Sequence, residues 1–125
     1  GIAFNSGCQV KTLIGHRSLL TAEMVEKAIN PDDIHKARTR LVSLENTTNR
    51  GGGACYDFEE IRRIKAVCLR YDLALHLDGA RLWNAIVAKD ESPKQYGAVF
   101  DTISVCLSKG LGAPVGSVLL GNHQH

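Results

Sequence analysis

The 125-residue sequence has no run of 18 or more apolar residues, so no transmembrane helix is expected. It has no Cys-x-x-Cys pair, and its four cysteines, Cys8, Cys55, Cys68 and Cys106, are too few for a disulfide-held scaffold. Cys68 and Cys106 sit among apolar neighbours, where free thiols are common. The expectation is reduced, structural cysteines and a cytoplasmic location. A strong charge excess is also missing. The formal net charge is +2, and the basic residues are spread from Lys11 to Lys109 without interleaved aromatics, which argues against a nucleic-acid partner. No Gly-x-Gly-x-x-Gly follows an apolar strand, and the glycines at 51 to 53 lack the Lys-Ser/Thr ending of a phosphate loop. There is no His-Glu-x-x-His, and the histidines, including His16, His123 and His125 in expected loops, form no zinc set. Internal repeats and low-complexity tracts are absent. Gly1 to Val10 lacks the basic and apolar regions of a secretory signal, and the sequence does not open on methionine, as expected of a processed chain or of a piece of a longer one.

The residues present are those of a globular α/β unit. Hydrophobic residues make up 44%, enough for a modest core. Gly1 to Gly15 reads as a helix end or loop leading into a short strand near Gln9 to Leu13. Thr21 to Ile29 reads as a helix with Thr21 as N-cap, ended by Pro31, and a short turn or helix follows from Ile34 to Ala37. Arg40 to Leu44 is a strand, followed by a polar, turn-rich stretch from Glu45 to Gly53. Asp57 caps a helix from Phe58 to Arg70, with an inner stripe of Phe58, Ile61, Ile64, Lys65 and Cys68, of which only the stem of Lys65 is expected to be covered. Leu73 to Leu77 is an apolar strand, Ala80 to Lys89 a helix, and Thr102 to Leu107 and Val115 to Leu120 are strands. Strands alternating with helices imply parallel crossovers and a helix-covered, mostly parallel sheet.

Four residues stand out as candidates for chemistry. Asp78 ends an apolar strand, where open α/β sheets place ligands. Its carboxylate suits a protonated ring nitrogen, a metal, or the cap of the next helix. Lys109 follows another apolar strand and precedes a glycine-rich turn. A lysine there can attack an aldehyde, or it can be a surface lysine. Arg81, near the start of the helix after Asp78, suits bidentate binding of a carboxylate or a surface salt bridge. His35 is a lone histidine of a type that handles hydroxyl protons near neutral pH. His76 shares a face with Asp78 only if the strand stays regular.

At these residues the sequence resembles the low-specificity threonine aldolases, a family of fold-type I (aspartate-aminotransferase-like) pyridoxal 5'-phosphate (PLP) enzymes. The similar stretches are Pro31-Asp32-Asp33-Ile34-His35, Leu41 to Thr47, His76 to Ala85 (His-Leu-Asp-Gly-Ala-Arg-Leu-Trp-Asn-Ala) and Cys106 to Ser117, in the family's order. Phe100 to Ser104 is also similar to the strand that leads to the family's lysine. The resemblance implies that residues 1–125 are the central part of the large PLP-binding domain, with an N-terminal segment and a C-terminal small domain lying outside them. Lys109 would then hold the cofactor, Asp78 would pair with its pyridine nitrogen, Arg81 would hold the substrate carboxylate, and His35 would assist loss of the substrate hydroxyl proton. The implied reaction is cleavage of L-threonine or L-allo-threonine to glycine and acetaldehyde by a homotetramer built as a dimer of dimers. These residues alone would bind PLP weakly and show little cleavage. Two stretches depart from the family. Thr48 stands where relatives often carry histidine and cannot do its proton chemistry. Arg50 to Tyr56 lacks the usual hydrophobic-proline approach to the next helix. Another fold-type I reaction on an amino acid and a non-catalytic, truncated α/β domain are the alternatives.

Overall fold

A computed structural model describes residues 1–122; His123 and His125 lie outside them. Four strands, β1 (Leu41–Glu45), β2 (Ala74–Gly79), β3 (Thr102–Cys106) and β4 (Ser117–Gly121), form one sheet in the order β1-β2-β3-β4. The first three are parallel, and β4 returns antiparallel to β3. The mixed α/β architecture and its mostly parallel sheet agree with the sequence pattern.

The parallel strands are joined by helices. α3 (Phe58–Arg70) connects β1 to β2, and α4 (Leu82–Lys89) and α5 (Pro93–Val99) connect β2 to β3. The short α1 (Ile2–Ser6) and α2 (Ala22–Ala28) precede the sheet. Alternate residues explain the packing. Val42 and Leu44, Leu75 and Leu77, and Ile103 and Val105 are all buried against the helical layer. Their neighbours Ser43, Glu45, His76, Asp78, Thr102 and Ser104 point to the opposite face, which is only partly covered.

The bounds of α3 match the sequence reading to the residue. The Asp57 carboxylate accepts the Glu59 N–H at 3.0 Å, and Phe58, Ile61, Ile64, Val67 and Cys68 are buried at helical spacing. Lys65 differs from expectation, because its ammonium is drawn in along with its stem. Lys65 Nζ donates to both oxygens of Asp101, at 2.9 and 2.8 Å. Asp101 also accepts the Leu75 N–H at 2.7 Å, so one carboxylate ties α3, β2 and the approach to β3 together.

The expected strand near Gln9 to Leu13 does not form. A strand needs a neighbouring edge, and this mostly exposed stretch pairs with none of the described strands. Lys11 instead donates to the Ala28 carbonyl at 2.7 Å. Conversely, α5 was not anticipated. Its signals are local: a capping box formed by Ser92 and Gln95, and Pro93 in the first turn.

Candidate active site

The carboxyl ends of β1, β2 and β3 gather the polar residues. Register sets Asp78 between Glu45 of β1 and Ser104 of β3, so these three side chains share the partly covered face. The strand stays regular through this point, and His76 therefore lies on that face two residues before Asp78. His76 Nδ1 is 2.8 Å from the Thr102 hydroxyl.

Asp78 Oδ1 accepts the Ala80 N–H at 3.1 Å. This bond turns the chain out of β2, so the capping role does exist. Oδ2 has no partner among the described residues. Gly79 allows the turn, since a Cβ there would meet the Ser104 carbonyl oxygen at 2.7 Å. The helix begins at Leu82 rather than Ala80 because Ala80 and Arg81 are spent on this turn.

Arg81 folds back toward β1. Its guanidinium is 3.8 Å from Glu45 Oε1 and donates to Asn49 Oδ1 at 3.2 Å. Glu45 Oε2 in turn accepts the Asn49 N–H at 3.1 Å. Between these two residues the chain is buried: Asn46, Thr47 and Thr48 are 0%, 6% and 0% exposed. Thr48 Oγ1 donates to the Arg17 carbonyl at 3.0 Å, which makes it a fastening for the segment around Arg17.

Lys109 is exposed in the β3–β4 connection, at the same end of the sheet as Asp78 and one strand over. Its carbonyl accepts the Gly112 N–H at 3.0 Å. The connection rests on the first turn of α4. A Cβ on Gly110 would lie 2.9 Å from Asn84 Oδ1, and the Asn84 N–H donates to the Arg81 carbonyl at 3.1 Å. Asn84 thus links the Lys109 turn to the Arg81 turn.

His35 lies apart from this group. It occupies an exposed turn, and its N–H donates to Asp33 Oδ1 at 2.8 Å. The following residues are tied down near the start of β1, where the Asn30 side chain donates to the Ala37 carbonyl and the Asn30 N–H donates to Thr39 Oγ1. No described contact joins His35 to Asp78, Arg81 or Lys109.

A model of the family of beta-eliminating lyases matches residues 1–125. The chain belongs to that family. The chain is similar to the low-specificity L-threonine aldolases of Eremothecium gossypii, 47% identical over 99% of this chain, and of Saccharomyces cerevisiae, 49% identical over 98% of it. In both cases the match covers 32% of the relative, so the chain spans about a third of their length. The solved structure of Leishmania major threonine aldolase superposes on 87% of this chain and 34% of its own, with a TM-score of 0.75 and 25% identity. The resemblance drawn from the Asp78 and Lys109 segments is therefore sound at the level of family and fold.

Within this beta-eliminating lyase unit, the residues present fit a pyridoxal cofactor. Oδ2 of Asp78, without a partner among the described residues, can accept from a protonated ring nitrogen, and Lys109 is an exposed amine at the same end of the sheet with no side-chain partner among those residues. Sequence reasoning gave no role to Glu45 or Asn49. The available signal was an acidic residue ending β1 in a stretch already similar to the family. No helix among the described residues is long and apolar enough to cross a membrane.

Proposed function

We propose that the protein carrying this chain is a PLP-dependent threonine aldolase that cleaves L-threonine or L-allo-threonine to glycine and acetaldehyde. Residues 1–125 are then the central part of its large, PLP-binding domain. The observation that carries this reading is the common corner occupied by Asp78 and Arg81, with the Lys109 turn resting on the same helix start through Asn84.

Bound PLP would supply the electron sink for the electrons of the broken Cα–Cβ bond. Lys109 would hold the cofactor by its aldehyde, and the Asp78 carboxylate would favour a protonated ring nitrogen. Arg81 pairs with the carboxylate of the amino acid and orients it. His35 accepts the proton of the substrate hydroxyl, which requires its exposed turn to meet the substrate. The assembly is a homotetramer, and the location is cytoplasmic, in keeping with four cysteines that are all free thiols.

Borohydride reduction of the PLP-treated protein tests the site. The expected result is a stable pyridoxyl adduct mapped to Lys109 and lost in Lys109→Ala. A folded protein with no Lys109 adduct would favour the second reading, a non-catalytic α/β domain, which the exposure of Lys109 supports. Product analysis tests the reaction. Glycine with acetaldehyde identifies aldol cleavage, whereas ammonia with 2-oxobutanoate from threonine identifies the elimination suggested by the family's description.

A further inference from the structure

The segment from Glu45 to Asn49 is anchored in its middle and functional-looking at its ends. Asn46 and Thr48 are fully buried, and both are hydrogen-bonded to distant parts of the fold. Asn46 Nδ2 donates to the Tyr96 hydroxyl at 3.1 Å, and Asn46 Oδ1 accepts the Tyr56 N–H at 3.4 Å. With its centre held this way, the segment offers two side chains from its flanks, and both meet Arg81. Glu45 brings a carboxylate to 3.8 Å, and Asn49 brings an amide oxygen to 3.2 Å. The two are also joined to each other, because Glu45 Oε2 accepts the Asn49 N–H.

We infer that Glu45 and Asn49 are positioning residues that aim the Arg81 guanidinium at the substrate carboxylate. This rests on the reading of Arg81 given above. A free arginine side chain has many rotamers, and a bidentate grip needs one of them. Asn49 and Glu45 engage the two terminal nitrogens, and a guanidinium with five N–H donors keeps enough of them for a carboxylate. The Arg81 side chain is 31% exposed, so solvent and ligand still reach it. The Glu45 charge also competes with an incoming carboxylate. Its 3.8 Å separation is longer than a charged hydrogen bond, so it steers the guanidinium without saturating it. The buried anchors explain how a segment leaving the end of β1 can aim a side chain, since each is fastened to a different part of the fold.

The test is a double-mutant cycle in the PLP-loaded protein, read by KM and kcat for L-threonine and by phenylglyoxal labelling of Arg81. Asn49→Ala and Glu45→Gln should each raise KM about five- to tenfold with a smaller change in kcat, as expected for lost ground-state binding. In an Arg81→Lys background the same substitutions should add little, because their target is gone. Phenylglyoxal should label Arg81 faster in both variants. An unchanged KM in Asn49→Ala and Glu45→Gln beside a raised KM in Arg81→Lys overturns this inference alone. An unchanged KM in Arg81→Lys overturns the carboxylate role of Arg81 and this inference with it. Labelling needs no turnover, so in a protein that cleaves nothing, unchanged labelling in both variants also overturns the inference. Urea unfolding of each variant separates these effects from loss of the fold.

Discussion

The side-chain amide of Asn46 donates to the hydroxyl of Tyr96 at 3.1 Å, a contact between residues 50 positions apart. Both are fully buried, and the Tyr96 hydroxyl passes its own hydrogen to Glu91 Oε2 at 2.6 Å. A chain of polar groups thus runs through the core from the start of α5 to the end of β1. It secures the stretch that presents Glu45 and Asn49 to Arg81.

Tyr96→Phe keeps the ring and its packing against Phe58 and Phe100 but removes the hydroxyl. The Asn46 amide then loses a buried acceptor and Glu91 loses a donor. The expected loss is about 1–3 kcal/mol of stability, the usual cost of a buried group left unpaired. Urea unfolding at neutral pH measures it, and a loss below about 0.5 kcal/mol would show that water or a shifted side chain takes over the bond.

Alkaline pH should unfold the protein through its buried acids. Burial pushes the Cys68 thiol from its ordinary 9.0 to about 11. Burial, followed by the hydrogen bond to Glu91, pushes the Tyr96 hydroxyl above the usual phenol range. The folded state therefore holds these protons more tightly than the unfolded state. The Cys68 contribution is complete below about pH 9 and is lost as the pH climbs toward 11. Cys68→Ala should flatten the fall in melting temperature across that interval. A wild-type profile already flat there would contradict the assignment.

Two glycines should respond oppositely to alanine. At Gly79 a Cβ would meet the Ser104 carbonyl oxygen at 2.7 Å and Leu82 Cβ at 3.1 Å, and backbone cannot yield cheaply. Gly79→Ala should cost about 1–3 kcal/mol and disturb the turn that carries Asp78 and Ala80. At Gly97, inside α5, a Cβ would meet nothing within 4 Å. Gly97→Ala should stabilise by up to about 1 kcal/mol through helix propensity alone. Thermal unfolding of the two variants side by side decides it, and equal behaviour would show that the Gly79 backbone moves freely.

Much of the fold is legible in the sequence because its signals lie within a few residues of one another. Asp57 with the stripe from Phe58 to Cys68 defines α3, and alternation in Leu75-His76-Leu77-Asp78 defines β2 with its buried and polar faces. The segments around Asp78 and Lys109 were sufficient to indicate the family. The short helix α5 does not stand out in the sequence although Ser92, Pro93 and Gln95 announce its start, because seven residues offer too little periodicity. The strand expected near Gln9 to Leu13 failed for the opposite reason: its local pattern was acceptable, but no described strand offers it a pairing edge.

The sequence by itself determined the alternation of strands and helices, the residue types at the strand ends and the family. Each of these is written in neighbouring residues through periodicity, capping or a contiguous motif. Only the tertiary structure decided that Asp78 stands between Glu45 and Ser104, that Arg81 turns to Glu45 and Asn49, and that Lys65 finds Asp101. It likewise decided that His35 sits on a separate turn from the other three candidates. The physical reason is that strand register and packing bring together residues far apart in the sequence, and no local pattern encodes which of them will meet.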